Sequence, residues 1–122
     1  MKRVLLVEDD RWMAECYTSW LQESGYIVAW SQTAQAALDE LDEFKADLIV
    51  LDILLPFANG LHFLNVLASH TDLSQIPVVI CSSTQPNNLQ DIYGVKAVLN
   101  KADVGPKQMR TVLAEVFANA PV

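Results

Sequence analysis

The sequence predicts an α/β fold in which one parallel five-stranded sheet is covered by helices on both faces. Short apolar runs, each bounded by turn-forming or charged residues, recur along the chain. Segments with helical spacing of apolar residues separate them, and such alternation is typical of parallel sheets with right-handed crossovers. The chain has 122 residues without a linker or repeat, which predicts a single domain over residues 1–122.

The predicted strands are apolar runs that do not alternate with polar residues. They cover residues 4–7, 26–30, 47–53, 76–81 and 95–99. Continuous apolar runs of this length are typical of strands that are buried on both faces. The sheet is therefore expected to lie at the centre of the domain.

Five helices are predicted between and after the strands, from apolar spacing together with start and stop residues. The fourth, over about residues 89–93, is expected to be short because Pro86, Asn87 and Asn88 are poor helix-interior residues. Leu41 and Phe44 continue the apolar face of the second helix. The remaining signals are Gly25 after the first helix, Thr33 capping the second, Asn59-Gly60 opening the third and Pro106 in the last.

The composition argues against several classes of protein. The net charge is −7, from 8 Lys and Arg against 15 Asp and Glu, so direct nucleic acid binding is not expected. The apolar run at residues 4–7 ends at charged residues, which excludes a signal peptide or membrane span there and makes the cytoplasm the expected location. Cys16 and Cys81 form no CxxC pattern and are interpreted as packing residues.

Three tryptophans, Trp12, Trp20 and Trp30, would form a partner surface if they were exposed. Trp20 is expected to pack in the core. Trp12, which follows an acidic segment, is expected to be exposed.

Polar side chains follow or end four of the predicted strands. Asp52 interrupts the third run, and the alternative to a functional role is that it turns the chain before Pro56. Because parallel strands end at the same edge of a sheet, where ligands bind, we expect these side chains to meet. They are Glu8, Asp9 and Asp10 after the first strand, Asp52 in the third, Ser82 to Thr84 after the fourth and Lys101 after the fifth.

Such a set favours phosphoryl chemistry at a hard cation. Clustered carboxylates repel one another unless a cation lies between them, and ligands that are all oxygens select Mg²⁺, or Mn²⁺ as a substitute. Lys101 and Ser82 would add a positive charge and a hydroxyl donor for a phosphoryl group. Asp52 could then attack phosphorus and form an acyl phosphate.

Four segments in this order resemble the receiver domain of two-component response regulators, the CheY-like domain, over nearly the whole chain. They are Val4-Leu5-Leu6-Val7-Glu8-Asp9-Asp10, Leu51-Asp52-Ile53-Leu54-Leu55-Pro56 with Asn59-Gly60, Ile76-Pro77-Val78-Val79-Ile80-Cys81-Ser82 and Val98-Leu99-Asn100-Lys101. The resemblance implies a flavodoxin-like (βα)5 three-layer sandwich with strand order 2-1-3-4-5. No output domain is expected in this chain, which would either act alone through binding or be a fragment of a longer protein.

The resemblance also assigns roles to individual residues. Asp52 would be the phosphoacceptor, and Lys101 and Ser82 would be its catalytic partners. The metal ligands would be Glu8, Asp9, Asp52 and the backbone carbonyl of Leu54, whereas Asp10 would not contact the metal.

The implied function is a signalling switch, not an enzyme in the ordinary sense. It would accept a phosphoryl group from a histidine kinase or phosphotransfer protein, dephosphorylate itself slowly and alter its affinity for a protein target. A homodimer remains open. Two alternatives remain: a phosphorylation-independent interaction module of the same fold, and an aspartate-nucleophile phosphatase, which typically has a second acid where this chain has Leu54.

The sequence departs from the family at three places. Val98 stands where most receivers have a switch Tyr or Phe, so an inward swing of an aromatic ring is not available. Ala102 replaces the usual proline after the lysine, and we expect a trans peptide there because a cis bond before a non-proline residue costs about 2.5–4 kcal/mol. The interval from Ser82 to Lys101 is also shorter than usual, which predicts an irregular fourth helix.

Overall fold

Five strands and four α-helices alternate along the described part of the chain. The computed structural model describes residues 1–52, 57–83, 89–92 and 94–119. The strands are β1 (Arg3–Val7), β2 (Ile27–Ser31), β3 (Leu48–Asp52), β4 (Val78–Ser82) and β5 (Val95–Asn100). The helices are α1 (Arg11–Glu23), α2 (Ala34–Glu40), α3 (Phe57–Ser69) and α4 (Pro106–Asn119).

The strands form one parallel sheet in the order β2-β1-β3-β4-β5, which confirms the predicted fold class and strand order. The central strands β1, β3 and β4 are almost completely buried, as their continuous apolar runs predict. All five strands point the same way, so the ends of β1, β3, β4 and β5 lie along one edge. This edge carries the candidate site.

Alternate side chains of the sheet pack into two apolar layers, one on each face. The layer on the α1 and α4 side includes Tyr17, Leu21, Met109 and Leu113. The opposite layer includes Phe63 of α3. Burial on both faces fixes the register of the strands, because a shift by one residue would exchange the two layers.

The fourth connection is short and irregular, as predicted, but its described residues form no α-helix, so the prediction of five helices needs correction. A 3₁₀ turn, Leu89–Asp91, stands where the fourth helix is predicted, anchored by Leu89, which is buried in the core. Gly94 has a φ of +87°, a left-handed conformation that only glycine adopts readily, and it leads directly into β5. A helix could not continue through this left-handed residue. Pro86, Asn87 and Asn88 lie outside the described residues.

Two predicted helix bounds also need correction. Helix α3 begins at Phe57, before the predicted start at Asn59-Gly60. Helix α2 ends at Glu40, yet Leu41 and Phe44 remain buried because the turn that follows still lies against the core. Apolar spacing thus identified the buried residues correctly but overestimated the helix length.

Several smaller predictions can be compared with the structure. Thr33 caps α2 by accepting a hydrogen bond from the Ala36 N–H, and Gly25 follows α1 with a φ of +93°, as predicted. Trp12 is 68% exposed, whereas Trp20 is half-buried and its ring packs edge-on against Tyr17. Within the described residues, no helix combines the length and apolar character that crossing a membrane requires.

Candidate functional site

The end of β1 delivers two carboxylates to the sheet edge. Glu8 follows the last residue of β1 and is buried, whereas Asp9 is exposed. Asp10 then turns away and caps α1, since its Oδ1 accepts hydrogen bonds from the N–H groups of Trp12 and Met13 at 2.9 and 3.2 Å. The helix cap therefore explains why the third acid in the row lies apart from the other two.

Asp52 ends β3, and its side chain is almost completely buried. The Lys101 Nζ atom lies 2.6 Å from Asp52 Oδ2 and 3.1 Å from Glu8 Oε1. The lysine side chain is itself only 11% exposed. One ammonium thus bridges two carboxylates that come from different strands.

Glu8, Asp9 and Asp52 form the acidic cluster of the site. Each residue offers one carboxylate oxygen such that these three atoms lie within 4.8 Å of one another. Among the described residues, the buried Asp52 Oδ1 has no hydrogen-bond partner. A buried carboxylate oxygen without a partner is costly, so this atom fits a place for a cation or a donor. The oxygen-only set matches the ligands that Mg²⁺ prefers.

Burial and mutual repulsion raise the proton affinity of two of these acids. The pKa of Glu8 rises to about 7, first because the carboxyl is buried and then because Asp52 lies beside it, although the Asp10 N–H and Lys101 oppose the shift. The pKa of Asp9 is also raised, by burial and then by Glu8. A divalent cation at the cluster would reverse both effects.

For the pKa of Lys101, burial and the neighbouring carboxylates act in opposite directions. Burial on its own would lower the pKa of its ammonium, but the hydrogen bonds and charges of Asp52 and Glu8 outweigh burial and raise it. The side chain therefore stays protonated at neutral pH. Its backbone N–H also donates to the Ser82 carbonyl at 2.8 Å, which ties the ends of β5 and β4 together.

The structure brings most of the predicted site residues to one edge of the sheet. Ser82 ends β4 and is buried, and the residue before it, Cys81, is paired in register with Asp52. Leu54 and Thr84 lie outside the described residues. Val98 is half-buried against the apolar layer of α3, and the Ala102 N–H donates to the Asn100 side chain at 2.9 Å. The trans peptide before Ala102 stays a prediction.

Neither cysteine belongs to the acidic cluster of the described residues. Both are free, and Cys81 is fully buried beneath the acids. Burial, followed by the negative charges of Asp52 and Glu8, raises the pKa of the Cys81 thiol to about 12. Burial and these charges therefore favour the protonated thiol at neutral pH, which is a poor nucleophile.

Sequence reasoning missed the role of the end of β2. The Trp30 indole N–H donates to the Glu8 carbonyl at 2.7 Å, and the Gln32 side-chain amide donates to the Asp9 carbonyl at 3.3 Å. The predicted neighbourhood of β2 and β1 was the available signal, because it places residues 30–32 beside the acidic segment. The sequence by itself could not show the direction of the indole.

Comparison with protein families gives a match over most of the chain. The model of the response regulator receiver domain matches residues 4–105. The transcriptional regulatory protein YvcP of Bacillus subtilis is 30% identical over 119 residues, which cover 95% of this chain and 47% of that protein. The Regulator of RpoS of Escherichia coli K12 is 33% identical over 105 residues, or 82% of this chain and 30% of that protein. The chain thus spans about half or less of these two relatives.

Solved structures show the same fold at low sequence identity. A sensor protein from Polaromonas sp. JS666 superposes with a TM-score of 0.88 at 18% identity, covering 98% of each chain. The receiver domain of the sensor histidine kinase PA1611 from Pseudomonas aeruginosa has a TM-score of 0.84 at 17% identity, covering 97% of this chain and 98% of that one. That structure is described with a magnesium ion coordinated in its active-site cleft.

Proposed function

This chain belongs to the response regulator receiver domain family, and from that premise we propose that it is a phosphorylation-dependent switch with Asp52 as its phosphoacceptor. The observation that carries the proposal is the Asp52 side chain, which is buried at the sheet edge with Oδ2 on the Lys101 ammonium and Oδ1 without a partner in the described residues. The donor would be a histidine kinase or a phosphotransfer protein, and the output a changed affinity for a protein target.

In the proposed reaction, a carboxylate oxygen of Asp52 attacks the phosphorus of the donor. A new P–O bond forms while the bond from phosphorus to the donor breaks, and the donor leaves with that electron pair. The Lys101 ammonium, already next to Asp52, would stabilise the negative charge of the phosphoryl group, and the Ser82 hydroxyl would donate to one of its oxygens. Hydrolysis of the acyl phosphate by water would return the domain to its resting state.

The proposed metal is Mg²⁺ or Mn²⁺, held by Glu8, Asp9, Asp52 and the Leu54 carbonyl. The close approach of the three carboxylates and the orphaned Asp52 oxygen support this assignment for the described ligands. When bound, the cation would offset the negative charge that a phosphoryl group brings to an acidic pocket. The residues of the chain would still provide the nucleophile and its orientation.

We expect a single phosphate on wild type, and none on Asp52→Asn, when each is incubated with Mg²⁺ and acetyl phosphate. Intact-protein mass spectrometry measures the gain directly. Asp103→Asn, which changes an exposed acid just beyond Lys101, is the matched control and should be phosphorylated like wild type. Neutral hydroxylamine should remove the phosphate, because it cleaves acyl phosphates and leaves phosphoserine intact.

The second candidate is a receiver-like interaction module that works without phosphorylation. It is favoured by Val98 in place of a switch aromatic and by the 3₁₀ turn Leu89–Asp91 in place of a fourth helix. Folded wild-type protein that gains no phosphate from acetyl phosphate, other small donors or a phosphorylated histidine protein would contradict the switch and support this module.

A further inference from the structure

Residues 30–32, at and just after the end of β2, hold the backbone of Glu8 and Asp9 through three hydrogen bonds. The Glu8 N–H donates to the Ser31 carbonyl at 3.1 Å. The Trp30 indole N–H donates to the Glu8 carbonyl at 2.7 Å, and the Gln32 amide donates to the Asp9 carbonyl at 3.3 Å. Two of the three donors are side chains, so they depend on the residues present and not on the sheet alone.

The hydrogen bond of Trp30 is the shorter of the two side-chain contacts, at 2.7 Å against 3.3 Å for that of Gln32. Trp30 pairs in register with Leu6 of β1, and its indole N–H reaches the carbonyl of Glu8, two residues further along the chain. Trp30 lies on the edge strand β2 and is 38% exposed. Its indole N–H makes a short hydrogen bond, at 2.7 Å, to the Glu8 carbonyl.

Glu8 is thereby fixed from two directions. Trp30 and Ser31 hold its backbone, while the Asp10 N–H donates to Oε2 at 3.2 Å and Lys101 lies beside Oε1. Loss of the indole bond would free the peptide that carries the carboxylate, and with it the direction from which the carboxylate reaches a cation. Groups that orient metal ligands typically change metal affinity by 10- to 100-fold when they are removed.

We propose that Trp30 is a positioning residue for divalent-cation binding at the acidic cluster, acting through the Glu8 carbonyl, with Gln32 as a weaker support at Asp9. The inference rests on the proposed function, since it takes Glu8 and Asp9 as metal ligands. It assigns to the end of β2 a role that no motif in the sequence indicates. Trp30 does not touch the cation or the phosphoryl group.

The test compares wild type with Trp30→Phe, which keeps an aromatic ring and removes the indole donor. We expect the Mg²⁺ dissociation constant, measured by isothermal titration calorimetry, to rise about 10-fold. Trp12→Phe is the matched control, because Trp12 is 68% exposed and its indole has no hydrogen bond among the described residues. It should bind Mg²⁺ like wild type, and both variants should keep the melting temperature of the metal-free protein to within a few degrees.

A second measurement uses the tryptophan itself. In a Trp12→Phe/Trp20→Phe double variant, Trp30 is the only indole left, and its fluorescence should change as Mg²⁺ fills the site. This signal is available even if Trp30→Phe fails to fold. If Mg²⁺ binds normally and the fluorescence of Trp30 does not change, the inference is overturned.

The outcomes separate this inference from the proposed function. If folded wild type binds no Mg²⁺, the assignment of the acidic cluster fails and the inference fails with it. If wild type binds Mg²⁺ and Trp30→Phe binds it equally well, only the positioning role is wrong. Weak binding by both Trp30→Phe and Trp12→Phe would also contradict the role, because Trp12 makes no such contact.

Discussion

Replacement of Lys101 by methionine should destabilise the metal-free protein by about 3 kcal/mol at pH 8. The ammonium is the cation that lies between the buried carboxylates of Glu8 and Asp52, at 3.1 and 2.6 Å, and methionine fills a similar volume without a charge. Two carboxylates would then face each other without compensation. Urea unfolding in the presence of a chelator measures the loss.

The stability lost in Lys101→Met should depend on pH and on Mg²⁺, whereas the loss from a simple packing defect would not. At pH 5 protonation of Glu8 removes one of the two charges, so the difference between Lys101→Met and wild type should shrink. Saturating Mg²⁺ at pH 8 should also restore part of the stability, because it supplies the missing positive charge. Lys96→Met, on the exposed part of β5, is the matched control and should be close to wild type. An equal loss under all conditions would contradict the electrostatic explanation.

The variant Glu8→Gln should be more stable than wild type in metal-free protein above pH 7. The folded-state pKa of Glu8 is raised to about 7 from an ordinary value of 4.5, so the folded protein binds the proton more tightly than the unfolded chain. Stability from this group is therefore fully present below pH 4.5 and is lost as the pH rises to about 7. Ionisation of Glu8 therefore lowers the free energy of unfolding of the wild type by an amount on the order of 3 kcal/mol. Glutamine mimics the protonated acid and does not ionise, so the variant keeps this stability.

The measurement is the free energy of unfolding of both proteins between pH 4 and pH 8, with a chelator present. The advantage of Glu8→Gln in the free energy of unfolding should grow between about pH 4.5 and pH 7 and stay constant above that range. Glu15→Gln, an exposed acid on α1, should show no such gap. Added Mg²⁺ should stabilise wild type and not Glu8→Gln, so a variant stabilised equally by Mg²⁺ would show that Glu8 is not a ligand.

The sheet could be predicted from the sequence because each strand is indicated by a short run of neighbouring residues. Residues 4–7 and 78–81 are apolar without alternation, and each run is followed by a polar residue. Once the strands are parallel, their ends share an edge, and the meeting of Asp52 with Glu8 and Lys101 follows from the fold. The strand order came from the family resemblance and not from periodicity.

What could not be predicted depends on contacts between distant segments. The sequence predicts a short, irregular fourth element, but it does not show that Leu89 is buried in the core or that Gly94 is left-handed before β5. The Trp30 bond depends on a side-chain direction set by the pairing of β2 with β1. Repulsion between Glu8 and Asp52 follows from the predicted cluster, but the burial of the Glu8 carboxyl, the main cause of its raised pKa, does not follow from the sequence.

The ion pair of Lys101 has a consequence for the valence of the cation that the pocket can accept. With every acid ionised, the three carboxylates and the ammonium leave two negative charges, which one divalent ion neutralises and a monovalent ion does not. A phosphorylated Asp52 would then carry the first excess negative charge in an otherwise neutral pocket. Without the lysine, electroneutrality would instead require a trivalent ion or a retained proton.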